Sequence, residues 1–160
     1  MTEHILIPYF SRSGNTLKIA ELIKFEVGGT LHEIRPEKPY PPDNNVTVEQ
    51  AKQEIRTGYA PPLISIIKDI ASYGLLFLGS PIWWGTMAPP VATFLSDNDL
   101  TGKTILPFCT HGGGGSGQFE ADIARLCPHS NVLGGLSVYK RDIEKVHSEV
   151  TAWIRGAELL

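Results

Sequence analysis

The sequence predicts an α/β fold, a parallel sheet whose strands are joined by helices in right-handed crossovers. Three observations carry this. Short runs of β-branched and aromatic residues alternate with segments of helical period from end to end of the 160 residues, at roughly one strand-and-helix unit per 25–30 residues. Two of those runs, residues 73–79 (YGLLFLG) and 103–109 (KTILPFC), are almost continuously apolar, as strands covered on both faces are. The composition, 42% hydrophobic and 19% charged, belongs to a globular chain long enough to bury a full core without staples.

The elements follow in order. Residues 4–10 (HILIPYF) read as a first strand that ends in the turn-rich Ser11-Arg12-Ser13-Gly14-Asn15. From Thr16 the period changes: Leu17, Ile19, Ala20, Ile23 and Val27 lie near helical spacing, and Gly28-Gly29 stops the helix. Residues 30–35 (TLHEIR) alternate apolar with polar, as a half-buried edge strand does. Residues 36–62 are the least regular stretch, with a short helix over 48–56, and read as a solvated excursion over the surface. A helix is predicted over 63–72, with Ile64, Ile67, Ile70 and Ala71 on its apolar side. The apolar strand 73–79 follows, then a loop over 81–86. Pro89 or Pro90 begins the next helix, through Val91, Phe94 and Leu95. After the strand 103–109 and a glycine-rich loop come a helix over 118–126, a strand over 131–138 and a last helix over 142–155. No repeat or linker divides the chain, so one domain over 1–160 is expected.

Parallel sheets of this kind bind ligands outside the carboxyl ends of their strands, where the strand order reverses. That rule singles out three loops, and they are also the three most unusual in the sequence. Ser11, Arg12, Ser13, Gly14, Asn15 and Thr16 offer hydroxyls, an amide, a glycine that lets backbone approach, and the free N–H groups of a helix start. That is an anion site suited to a terminal phosphate; a capped helix start is the other reading of the same residues. Neither the nucleoside-triphosphate loop, which needs a lysine, nor the G-x-G-x-x-G dinucleotide fingerprint is present. Pro81, Ile82, Trp83, Trp84 and Gly85 place two of the three tryptophans at a strand's carboxyl end, suited to stacking on a planar ring, with one of the two expected to cover the core instead. Thr110, His111, Gly112 and Gly113, continuing to Gly117, expose main-chain donors with almost no side chains. Hydrolase motifs fail here: Gln118-Phe119 replaces the P-loop Lys and Ser/Thr, Gln118 stands where a nucleophile elbow after Ser116 needs glycine, and Gly115 stands where a cysteine-phosphatase loop starting at Cys109 needs arginine.

A phosphate site, stacking aromatics and main-chain donors together describe a phosphorylated flat heterocycle. At these residues the chain resembles the flavodoxin family: Ser11-x-Ser13-Gly14-Asn15-Thr16 is similar to its FMN-phosphate loop, and GSPIWWGT to its first isoalloxazine loop. The resemblance implies a doubly wound, five-stranded parallel sheet in order 2-1-3-4-5 between two helical layers, a three-layer sandwich holding FMN without a covalent bond. By position it implies that residues 11–16 hold the phosphate, 81–85 pack on one ring face and 110–113 approach the pyrimidine edge. It implies a low-potential carrier of single electrons between a donor reductase and an acceptor enzyme, monomeric rather than dimeric. Backbone carbonyls near Trp84 or Gly85 would favour the one-electron-reduced ring, and apolar stacking without a nearby cation would lower the potential.

Two departures raise an alternative. The third loop lacks the aromatic that covers the outer ring face in the family, and the net charge of −3 is modest. An FMN-dependent reductase of the NAD(P)H:quinone type is that alternative, and a non-redox phosphate-binding module is a third reading. The pI near 5.9 gives no footprint for nucleic acid. The apolar runs are too short for a membrane span, and the start MTEHILIPYF lacks a basic leader, so a cytoplasmic protein is expected. Cys109 and Cys127 cannot frame a metal site; the first reads as core and the second as closing a helix. The five histidines have no ligand spacing, and of them His111 alone falls in a candidate site. Trp153 reads as packing.

Overall fold

The computed structural model describes residues 4–157. Its strands are β1 (His4–Tyr9), β2 (Thr30–Glu33), β3 (Tyr73–Trp83), β4 (Thr86–Met87), β5 (Thr104–His111), β6 (Asn131–Val132) and β7 (Leu136–Tyr139). Its α-helices are α1 (Asn15–Val27), α2 (Asn44–Thr57), α3 (Pro89–Asp97), α4 (Phe119–Leu126) and α5 (His147–Gly156). The sheet runs β2-β1-β3-β5-β6, with β7 continuing β6 along the same side of β5. All these pairs are parallel. With β6 and β7 taken as one interrupted strand and the small β4 set aside, this is the expected 2-1-3-4-5 order.

The period of two along each strand divides the interior into two cores. Leu6, Leu76, Leu78 and Ile105 point to the face covered by α3 and α4, where Val91, Phe94, Phe119 and Ile123 are buried. Ile5, Ile7, Leu75, Phe77, Leu106 and Phe108 point to the face covered by α1 and α5, with Ile19, Ile23, Val150 and Ile154. Runs apolar at every position are what such a sheet requires, because neither face meets water. Trp153 packs edge-on to Phe77 at 5.7 Å and donates its indole N–H to the Gly134 carbonyl, so its packing role holds. Cys127 does follow the last turn of α4, its N–H bonded to the Ile123 carbonyl.

Several elements differ from expectation. Residues 63–72 do not form a helix; only a single 3-10 turn, Ile70–Ser72, appears there. Their backbone is used across the chain instead. Leu63 bridges Pro36, the Ile64 N–H donates to the Arg35 carbonyl at 2.9 Å, and the Glu37 N–H donates to the Pro62 carbonyl at 2.8 Å. Ile64, placed on the apolar side by spacing, is exposed, whereas Leu63, Ile67 and Ile70 do rest on the core. Helix α2 begins four residues before the expected 48, because the Asp43 carboxylate accepts from the Asn45 and Val46 N–H groups at 2.8 and 3.2 Å. The strand expected over 131–138 is broken by a bulge: three residues, 133–135, face only two of β5, one of them Pro107, which has no N–H to donate. The last helix splits into a 3-10 segment, Lys140–Lys145, and α5, while Ile143, Val146, Val150 and Ile154 keep their buried spacing through both. The loop expected over 81–86 is a hairpin, described below.

Two outcomes are expected. A Cβ added at Gly79 would run into the ring of the fully buried Phe108. Gly79→Ala therefore costs about 1–3 kcal/mol of stability by chemical denaturation. His32, on β2, has a buried Nε2 with no partner and a ring 5.9 Å from Phe94. Burial lowers its pKa below the ordinary 6.5, with the neighbouring Glu33 carboxylate partly opposing. The unfolded chain therefore takes up this proton first, so stability falls as pH drops below 6.5 and levels off once the folded imidazole is also charged. Denaturation midpoints measured across that range should flatten in His32→Phe.

Candidate functional site

A cleft of about 520 Å³ opens at the carboxyl ends of β1, β3 and β5, within the size range of small-molecule and cofactor sites. Its first wall is the β1–α1 connection. Gly14 turns the chain there with φ +97, and its N–H donates to Ser11 Oγ at 3.1 Å. No side chain caps α1, so the N–H groups of its first turn keep their capacity for an anion. Ser13, Asn15 and Thr16 line the cleft beside them. Thr16 is buried and its hydroxyl lies 3.0 Å from that of Thr110, which joins the first wall to the end of β5.

The second wall is the β3–β4 hairpin. Ile82 pairs with Met87 and Trp83 with Thr86, leaving Trp84-Gly85 as a two-residue turn with φ +54 and +79. Two left-handed residues match the twist of the strands, but the first is usually Asn, Asp or Gly. A tryptophan with positive φ is strained, and such strained residues cluster at functional sites. The two indoles divide the labour that the sequence suggested. Trp83 sits edge-on to Phe10 at 5.5 Å and to Tyr40 at 5.1 Å, fixed by packing, yet still borders the cleft. Trp84 is 52% exposed, donates its indole N–H to the Val48 carbonyl at 2.9 Å, and carries the Lys52 ammonium over its ring at 5.1 Å.

The third wall, after β5, is less free than a bare glycine run implies. His111 Nδ1 accepts from the Gly113 and Gly115 N–H groups at 3.0 and 3.2 Å, so Nδ1 carries no proton in this arrangement. Two of the main-chain donors expected for a ligand are thereby used inside the loop. Thr110, His111 and Gly112 line the cleft, and Gly113 stands behind them, against the Tyr139 hydroxyl. The far end of the loop is fixed to the hairpin, because the Gln118 N–H donates to the Gly85 carbonyl at 2.7 Å.

The model of the flavodoxin family matches residues 4–156. The chain belongs to the flavodoxin family. Among solved structures it is similar to a flavoprotein in complex with FMN from Lactobacillus acidophilus, at 26% identity and TM-score 0.77 over 90% of this chain and 98% of that one. A Bacteroides uniformis protein assigned as a flavoprotein is 28% identical, with TM-score 0.82 over 94% and 99%. A flavodoxin from Fusobacterium nucleatum bound to flavin mononucleotide shares the fold at 14% identity, with TM-score 0.58 over 98% of both chains. No curated protein matches the chain.

In this member of the family the excursion 36–62 is not the solvated decoration expected of it. Helix α2 closes the cleft from the side, with Asn44, Thr47, Val48 and Ala51 on its lining. Arg12 clamps that helix: its guanidinium donates to Asn44 Oδ1 and to the carbonyls of Pro41 and Pro42, at 2.8 and 3.1 Å for the two carbonyls. Tyr40 packs edge-on against both Phe10 and Trp83 and donates to the buried Glu54 carboxylate at 2.6 Å, whose other oxygen accepts from Gln50. Burial, and then that hydrogen bond, push the Tyr40 phenol far above its ordinary range, so it stays neutral. Lys140, after β7, was also missed. Nothing near it in sequence hints at the cleft, since it arrives through the pairing of β7 with β5. With Arg12 it gives the cleft two cations. Both cysteines are free and buried, and burial pushes both thiols up, away from reactive thiolate. Among the described residues no cluster of three or more His, Cys, Asp or Glu could hold a metal.

The junction between second and third walls has a direct test. Gly117 has φ +54, and a Cβ there would run into the Gly85 carbonyl. Gly117→Ala is expected to break the Gln118–Gly85 bond, speeding amide exchange at Gln118 and lowering the denaturation midpoint. Gly114→Ala, with open space around it, should leave both unchanged.

Proposed function

We propose that this flavodoxin-family protein binds FMN in the cleft and carries single electrons between a donor reductase and an acceptor enzyme. The observation that carries the reading is the uncapped start of α1 facing, across one cleft, a wall of two adjacent tryptophans. One end of the cleft suits a phosphate and the other a flat ring, and the residues present fit the group. When bound, FMN supplies the electron chemistry. The first-turn N–H groups with Ser13, Asn15 and Thr16 hold the phosphate, while Ser11 and Gly14 shape the turn that presents them. Arg12, engaged by α2, adds positive charge from the side. Trp83, Trp84, Pro81 and Ile82 exclude water from one ring face, and Thr110, His111 and Gly112 border the other edge. Gly85 and Gly113 set backbone shape in the two ring loops.

A low potential was expected from apolar stacking alone. Lys140 works against it, because a cation at the cleft favours the negative charge that reduction adds. The partners are proposed to be proteins and the carrier a monomer in the cytoplasm; no helix among the described residues is long and apolar enough to cross a membrane. A second reading, a flavin-dependent reductase of the NAD(P)H:quinone type, is favoured by the exposure of Trp84 and by a third loop without an aromatic side chain, which leave room for a second flat reactant.

Titrating the flavin-stripped protein into FMN, with riboflavin as comparison, tests the reading through loss of flavin fluorescence. Tight quenching by FMN and weak quenching by riboflavin is the expected result. Replacing Ser13 and Asn15 together by Ala should weaken FMN by about tenfold or more, from lost bonds to a charged group, and leave riboflavin unchanged. A folded protein that quenches neither flavin refutes the proposal. Rapid NAD(P)H oxidation by the loaded protein would move the assignment to the reductase.

A further inference from the structure

The chain carries a formal net charge of −3, yet the mouth of its cleft is positive. Arg12 and Lys140 are the charged side chains that line it, and among the described residues no carboxylate does. Lys52 stands over the exposed Trp84 ring, and Arg141 lies over the Tyr139 ring at 4.3 Å, itself packed on His111 at 5.4 Å. These charges are largely uncancelled. Arg12 donates to neutral acceptors only. Among the described residues Lys52 and Lys140 form no ion pair, and Arg141 meets Asp142 at 3.6 Å with both side chains exposed, where such a pair is weak.

Carboxylates on the same segments are turned to other uses. Asp43 caps α2, Glu54 is buried beneath Tyr40, and Glu144 pairs with Lys18 at 2.6 Å. Glu49 lies on the side of α2 that carries Asn45 and Gln53. The half-exposed Trp84 and Val48 line the same cleft as Arg12 and Lys140 and give its mouth a small apolar part. A cationic mouth with an apolar part steers an acidic surface toward it and releases it readily in salt.

We infer that the cleft mouth, with Lys52 over Trp84, Lys140 on the lining and Arg141 over the Tyr139 ring behind His111, is the docking surface for a redox partner protein whose contact face is acidic. The inference rests on the FMN-carrier reading only in making the docked protein a redox partner. The charge itself can be tested without flavin. In the flavin-free protein, quenching of Trp84 by iodide and by caesium, each normalised to a free tryptophan analogue, reports the sign of the local potential. Trp84's share is the difference from Trp84→Phe. Iodide should exceed caesium by about two- to threefold at low ionic strength and converge with it in high salt. Lys52→Gln and Lys140→Gln should each reduce the difference. A poly-Glu peptide should shield Trp84 from uncharged acrylamide, where poly-Lys and citrate do not.

Caesium equal to or above iodide at low salt overturns the inference, as does poly-Glu giving no protection. Shielding by citrate as strong as by poly-Glu reassigns the rim to small anions and also overturns it. None of these outcomes depends on FMN binding, so failure of the FMN titration refutes the proposed function separately. If FMN binds, oxidation of the reduced protein by ferricyanide, each ion accepting one electron, should slow as salt rises, and Lys52→Glu with Arg141→Glu should reverse that trend. A rate that rises with salt in the unmodified protein overturns the inference.

Discussion

Burying β1, β3 and β5 on both faces is the constraint from which the rest follows. A strand with Leu6 toward one core and Ile5 and Ile7 toward the other has no solvated side, so helices must cover both faces. Parallel pairing then requires every connection to run from one edge of the sheet to the other. All carboxyl ends meet at one edge, and there the chain leaves β1 for α1 on one face and β3 for α3 on the other. The cleft stands at that edge because connections diverging to opposite faces leave a crevice there, and three of its walls are the segments that leave β1, β3 and β5.

What those segments offer a ligand is decided by what they have already used. Ser11 is engaged by Gly14, His111 Nδ1 by two glycine N–H groups, the Gly85 carbonyl by Gln118, and the Thr16 and Thr110 hydroxyls by each other. These bonds give shape to loops that their own composition would leave loose. The remainder is small and directional: the first-turn N–H groups of α1, the side chains of Ser13 and Asn15, the edges of two indoles and the ammonium of Lys140. A glycine-rich loop read from its residues alone suggests an abundance of donors. Once His111 folds it back, the loop acts more as a buttress than as a cradle.

The same distinction explains what was legible in the sequence. Residues 73–79 and 103–109 announced buried strands because their signal is local, an almost unbroken apolar run in each. The β1–α1 loop and the tryptophan pair, two walls of the cleft, were legible because each lies within six residues of chain. The segment 63–72 differs from the helical reading because isoleucines at helical spacing do not reveal that residues 62–65 are bound instead to residues 35–37, which leaves Ile64 exposed while Ile67 and Ile70 still rest on the core. Helix α2 and Lys140 reach the cleft through tertiary pairing, Arg12 to Asn44 and β7 to β5. Periodicity carries no trace of either.

The least legible wall is also the least anchored. Helix α2 buries only Thr47, Ala51 and Glu54 of its fourteen residues, and its attachment is mostly polar: Arg12 at its start, Tyr40 on Glu54, the Trp84 indole on the Val48 carbonyl. A segment held by few buried apolar contacts and several exposed hydrogen bonds opens at lower cost than the sheet does. Trp84, which holds α2 from across the cleft, is itself kept in a strained backbone conformation. The strain in the hairpin and the seat of the helix therefore share one hydrogen bond. A ligand that packs against Trp84 meets a residue whose position already depends on α2, so ordering one orders the other. The rigid sheet supplies the place, and this pair supplies the part of the cleft held mainly by polar bonds.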